Sequence, residues 1–86
     1  MTGESKQVEM LEQVITALRE LHDDAAVPRN IKLRIERTIQ ILSEPSDISI
    51  RVDKAQQELD DISDDSNLQS YTRTQLWNVV SLLEKI

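Results

Sequence analysis

Cysteine and phenylalanine are absent from this chain of 86 residues, and it holds one glycine, two prolines, one tyrosine, one tryptophan and one histidine. Each shortage excludes something. Without cysteine there is no disulfide, no thiolate nucleophile and no cysteine-built zinc site. A single glycine, Gly3, cannot make a glycine-rich phosphate loop. A single histidine cannot supply the two Glu-x-x-His pairs that a di-metal site in a helical bundle requires. No stretch approaches the roughly 18 uninterrupted apolar residues of a membrane span. The opening residues, Met1 to Gln7, run into a charged amphipathic stretch with no apolar block of signal-peptide length. These absences lead us to expect a soluble cytoplasmic protein with no membrane partner, no cofactor, no metal site and no catalytic role.

What is present is aliphatic and acidic. Leu, Ile and Val together make up 25 of the 86 residues, too many for a disordered acidic tail. Few turn residues and many long aliphatic ones favour a few helices with short connections over sheets. Surface scaling for a chain of this size allows roughly 64% of its surface to be buried, enough for one thin core. The net charge of −6 is the wrong sign for a general nucleic-acid binder.

Apolar spacing of three and four residues marks four helices, at about 4–23, 28–43, 47–63 and 69–86. The first carries Val8, Leu11, Val14, Ile15, Leu18 and Leu21, a stripe wide enough to face two neighbours. The second begins at Val27-Pro28, where proline suits a first helical turn, and Glu44-Pro45 stops it. Ile31, Ile35, Ile39 and Leu42 form its inner stripe, with Leu33 nearly opposite and Ile41 to one side. The third, with Asp47 as N-cap, has a heptad-like seam of Ile48, Val52, Ala55, Leu59 and Ile62, and it ends at the polar run from Ser63 to Asn67. The fourth presents Leu76, Val79, Val80, Leu83 and Ile86 inward, with Trp77 at the border of that face. Short connections make consecutive helices antiparallel. The expected fold is all-α, a single-domain up-and-down four-helix bundle. No period of 20 to 50 residues repeats, which argues against a solenoid.

Several strings carry a resemblance. Val27-Pro28-Arg29-Asn30-Ile31 opens the second helix. Asp61-Ile62-Ser63 is followed by Asp65, Asn67, Arg73-Thr74, Trp77-Asn78, Val80-Ser81 and Leu83-Glu84. Together they resemble a small archaeal family, uncharacterised protein family number one-four-seven, over nearly the whole chain. Where such proteins carry a second proline after the acidic turn, this chain has Leu68-Gln69-Ser70. The resemblance implies an all-helical bundle of archaeal kind. It implies no activity, and so it transfers no functional residues.

Two acidic or basic features invite a chemical reading, each beside a plainer one. His22, next to Asp23 and Asp24, could be a carboxylate-oriented base, but no nucleophile accompanies it, and a cation at a helix C-terminus needs no further function. Asp61, Ser63, Asp65 and Asn67 alternate like calcium-loop ligands. However, Ser66 stands where that loop needs glycine and Thr72 where it needs glutamate, so a solvated turn is the better reading.

The second helix is the exception to the acidic balance, with a net +3 against −9 for the rest of the chain. Arg29, Asn30, Leu33, Arg37 and Ile41 make a candidate docking strip for a protein partner, because Arg beside apolar side chains is typical of interface cores. The plainer alternative pairs Arg37 and Lys32 with acids of neighbouring helices. Trp77 reads either as a partner anchor or as a cover for the bundle's edge. The turn before the second helix suggests an anion site. If Pro28 is the first helical residue, Val27 cannot cap the amides of Asn30 and Ile31, and Arg29 and His22 add positive potential there. The alternative is an internal cap from Asp24 or the Asn30 side chain. Functionally, the sequence points to a small interaction or scaffold module. An accessory nucleic-acid or nucleotide-associated protein presenting the basic helix is the alternative, and homo-oligomers are compatible with either.

Overall fold

A computed structural model describes residues 3–86, with side chains from Lys6 onward. Four helices follow one another: α1 (Gly3–His22), α2 (Arg29–Leu42), α3 (Ile48–Ser63) and α4 (Ser70–Glu84). Each packs on its neighbours in sequence, and α1 closes on α4, while among the described residues the diagonal pairs make no close backbone approach. The result is an up-and-down four-helix bundle, 42 Å long and 19 Å across.

Spacing explains each helix. At about 100° per residue, Leu11, Val14, Leu18 and Leu21 fall on one side of α1, and all four are buried. In α2 the buried row is Ile31, Ile35, Thr38 and Leu42. Here Thr38 takes the place expected of Ile39, which is only half-buried. A buried hydroxyl needs a partner, and the Thr38 hydroxyl donates to the Arg34 carbonyl at 3.0 Å. Ala55, Leu59 and Ile62 fill the inner face of α3, and Thr72, Leu76, Val79 and Leu83 that of α4.

The helix ends differ from expectation in detail. Pro28 is not the first helical residue. It is the N-cap of α2, extended at φ −60° and ψ 151°, and its carbonyl accepts the amides of Ile31 and Lys32 at 3.1 and 3.0 Å. Asp47 does occupy the N-cap of α3, but its side chain makes no capping bond. α4 stops at Glu84 rather than at the last residue, and Ile86 folds back half-buried against the core. The Ile86 carbonyl accepts a hydrogen bond from Gln7 Nε2 at 3.2 Å, which ties α1 to the end of the chain.

The structure overturns the reading that nothing repeats. Val14, Leu18, Leu21, Val27, Ile31, Ile35, Thr38 and Leu42 are buried, and so are the residues 41 positions further on: Ala55, Leu59, Ile62, Leu68, Thr72, Leu76, Val79 and Leu83. The α1–α2 and α3–α4 turns repeat as well. Asp24 Oδ1 accepts the Ala26 amide at 2.8 Å, and Asp65 Oδ1 accepts the Asn67 amide at 2.8 Å. In each turn the same aspartate's carbonyl accepts the amide of a buried apolar residue, Val27 at 3.1 Å and Leu68 at 3.2 Å. The chain is therefore two α-hairpins of one pattern, α1–α2 and α3–α4. They close into a bundle, which is why no solenoid forms.

Leu59 is fully buried, as is its counterpart Leu18, whereas Leu33 is 60% exposed. Leu59→Ala and Leu18→Ala should each cost about 2–4 kcal/mol in urea denaturation, and Leu33→Ala under about 1 kcal/mol.

Candidate functional site

The inner row of α2 faces the core, so its opposite side must face water. That outer side carries Arg29, Leu33, Glu36, Arg37 and Gln40, all exposed. Asn30 is exposed beside them, while Ile41 is half-buried at the border with α3. The structure thus brings Arg29, Leu33 and Arg37 into one outward strip, with Ile41 turned toward a different surface. That surface is a polar groove of about 410 Å³ between α2 and α3, lined by Arg37, Ile41, Glu44, Lys54, Glu58 and Asp61.

The charge of α2 is only partly compensated. Arg34 is the cation that pairs, rather than Arg37 or Lys32: its Nε and Nη2 both lie 3.1 Å from Glu58 Oε2, with Asp61 Oδ2 3.9 Å from Nη2. Among the described residues, Arg29, Lys32 and Arg37 have no carboxylate within 4.0 Å. Three cations are therefore left to solvent or to a partner.

His22 closes a different contact. Its Nε2 lies 3.2 Å from Glu36 Oε2 and its Nδ1 3.5 Å from Asp23 Oδ1, so the ring bridges the end of α1 to the middle of α2. This engages both nitrogens with carboxylates instead of turning them to the amides at the start of α2. The Ile31 amide, expected to be open, donates to the Pro28 carbonyl, and the Ile31 side chain is fully buried. Of the four residues expected to converge on an anion, Arg29 and Asn30 stand exposed at the head of α2, while His22 and Ile31 are engaged elsewhere. The expected internal cap is also missing. Asp24 binds the Ala26 amide in its own turn, and no side chain caps α2.

The acidic turn after α3 forms no ligand ring. Asp65 Oδ1 is occupied by the Asn67 amide, Asp61 leans toward Arg34, and the Ser63 hydroxyl is buried without a partner. Among the described residues no group of three or more His, Asp or Glu side chains is placed to hold a metal ion, and no helix is long and apolar enough to cross a membrane.

Two arginines do work that spacing alone did not reveal. Arg73, near the start of α4, donates from Nε to the Ser63 carbonyl at 3.0 Å and from Nη2 to the Asp65 carbonyl at 3.1 Å. Arg51 donates from Nη1 to the Leu42 carbonyl at 3.0 Å. The last carbonyls of a helix have no partner within it and carry partial negative charge, so a guanidinium from the next helix satisfies both needs. The signal in sequence is an arginine at the fourth residue of α3 and of α4, after the second and third connections.

The match to known proteins follows the same fold. A family model described as Uncharacterised protein family (UPF0147) matches residues 1–86. The chain belongs to that family. A UPF0147 protein of Metallosphaera sedula is 42% identical over 77 residues, covering 88% of this chain and 86% of its own. The UPF0147 protein MJ1419 of Methanocaldococcus jannaschii is 38% identical, covering 98% and 91%. The crystal structure of a UPF0147 protein from Thermoplasma acidophilum superposes with a TM-score of 0.87 at 26% identity, covering 92% of this chain and 94% of that one. The crystal structure of MMP1188, a protein of unknown function, gives 0.88 at 38%, covering 92% and 91%. The resemblance read from Val27–Ile31 and Arg73–Asn78 is thus to the right family, and UPF0147 is a family of unknown function.

Removing the Arg73 guanidinium leaves two carbonyls without their charged donor. Arg73→Ala should cost about 1.5–3 kcal/mol, and Arg37→Ala, which breaks no hydrogen bond or ion pair, under about 0.5 kcal/mol, both measured by thermal and chemical denaturation.

Proposed function

We propose that the chain is a small interaction module without catalysis of its own, which offers the outer strip of α2 to an acidic protein surface. The observation that carries this reading is Leu33, 60% exposed between two uncompensated arginines on an otherwise acidic molecule. An exposed leucine alone is ordinary. Flanked by Arg29 and Arg37, it combines an apolar contact with two bidentate donors, a pairing suited to a carboxylate-rimmed pocket on a partner. The net +3 of α2 against −9 elsewhere sets the sign of that partner and steers its approach.

Nucleic acid meets the same cations, and salt distinguishes the two. Binding through phosphates releases counterions and weakens steeply with salt, whereas a contact seated on Leu33 keeps its apolar part. Tagged protein should recover a defined partner from native extract, and Leu33→Glu and Arg37→Glu should each lower that recovery at least about tenfold, a loss of about 1.4 kcal/mol of binding. Recovery unchanged in both variants would refute the strip. Recovery of nucleic acid, lost on raising salt from about 50 to about 200 mM, would favour the phosphate reading.

A further inference from the structure

The outward face of α4 differs from that of every other helix. Between Ser70 and Leu83 its exposed residues are Ser70, Tyr71, Thr74, Trp77, Asn78 and Ser81, and none is charged. The one charged side chain in that span, Arg73, is turned to the Ser63 and Asp65 carbonyls. In contrast, α1 exposes Glu9, Glu12, Arg19 and Glu20, and α3 exposes Asp53, Lys54, Asp60 and Asp61. Covering any of those faces would take charges out of water, which is costly unless each finds a partner. Covering the face of α4 takes none.

That face also carries the chain's only two aromatics, Tyr71 at 64% and Trp77 at 56% exposure. Helical geometry sets them about 120° apart, as two ridges flanking a valley of small side chains at Ser70, Thr74 and Ser81. The Thr74 hydroxyl is turned back to the Ser70 carbonyl at 3.1 Å, so it asks nothing of a partner. Loss of charge and enrichment in Trp and Tyr are the compositional marks of an interface core.

We propose that this face binds a second copy of the chain, as a two-fold dimer seated α4 on α4. A two-fold interface must be self-complementary, and a helix face with both a ridge and a valley is: Trp77 of each copy lies in the small-residue valley of the other. Charge supports the same occupant. Two molecules of net −6 repel, and the exposed residues of α4 between Ser70 and Leu83 add no charge of their own to that repulsion, although Glu20 and Asp24 of α1 border Tyr71 at its edge. The area sets the strength. Two aromatics at these exposures offer about 250 Å² per protomer, well short of the roughly 800 Å² of a standard interface, so the dimer is a weak one. Because α2 and α4 are diagonal and their outer faces point in opposite directions, this pairing leaves the outer strip of α2 open on both copies. The proposal is independent of any partner for α2.

Sedimentation velocity on the full chain, from about 5 μM to about 1 mM, should show a reversible rise from monomer to dimer mass, with concentration-dependent amide shifts confined to residues 70–82. Thr74→Glu and Thr74→Lys should each remain monomeric throughout, because each sets like charges across the two-fold. Mixed in equal amounts they should associate again, which also shows that both variants are folded. Leu33→Glu should leave association unchanged. A wild-type mass that stays flat across the series would overturn the proposal, as would association indifferent to Thr74→Glu or a mixture that fails to pair.

Discussion

Closure of α1 against α4 is the contact on which the rest of the molecule depends. Sequential helices can pair locally through short turns, but a hairpin alone leaves one side of each apolar stripe in water. Only when the first helix meets the last do Val14, Leu18, Leu59, Leu76 and Leu83 all become fully buried or nearly so. Burying one such side chain is worth about 1.5–3 kcal/mol. A bundle this narrow has few to spare, and the wide stripe of α1 reflects its two neighbours. The Gln7–Ile86 bond lies at the end of the same seam and fastens it. Everything exposed, including the strip of α2 and the face of α4, is held in place by that closure.

Most of the fold was legible because helical periodicity is a direct imprint of burial. Four stripes, one proline at a helix start, one at a helix stop and three short connections give the right number, order and packing of helices. What could not be read has specific physical causes. Thr38 and Thr72 are buried although polar, because a helical threonine can bond the carbonyl one turn back, as Thr38 does; counting hydrophobic residues misses this. Leu68 is buried from within a polar turn, where no periodicity exists to reveal it. The 41-residue repeat is a repeat of burial, not of letters. Leu18 and Leu59, Asp23 and Asp64, Asp24 and Asp65, and Leu42 and Leu83 are among the few positions that keep the same residue. Gln69 holds the place in the second turn that Pro28 holds in the first, with nearly the same extended backbone at ψ 149° against 151°. Proline favours that conformation without being needed for it.

The candidate site was legible in outline only. The outward placing of Arg29, Leu33 and Arg37 follows from the helix period alone. Which cation would be neutralised depended on the angle at which α3 meets α2, and that geometry selected Arg34. Sequence adjacency alone points the His22 ring at the start of α2. A helical side chain points back toward its own N-terminus, and this carries the ring to Glu36 instead. On the finished surface the four helices have different characters. α2 is basic, its diagonal opposite α4 exposes no charge between Ser70 and Leu83, and α1 and α3 between them are mainly acidic. The basic strip of α2 and the uncharged face of α4 lie on opposite sides of a bundle 19 Å across.

The Arg34–Glu58 pair lies between the hairpins, and the repeat gives that contact a second meaning. In the matching interface, between α4 and α1, the equivalent positions hold Gln75 and Ala17, which line the same shallow groove without an ion pair. Two hairpins with the same buried pattern could in principle assemble with copies of themselves. A first hairpin set against its own copy would bring Arg34 opposite Ala17 and strand the cation. A second hairpin so paired would leave Glu58 facing Gln75. The ion pair is a modest contributor to stability, about 1 kcal/mol for a partly exposed contact of this kind. Pairing of the two unlike hairpins satisfies both charges, whereas either self-pairing leaves one of them without its partner.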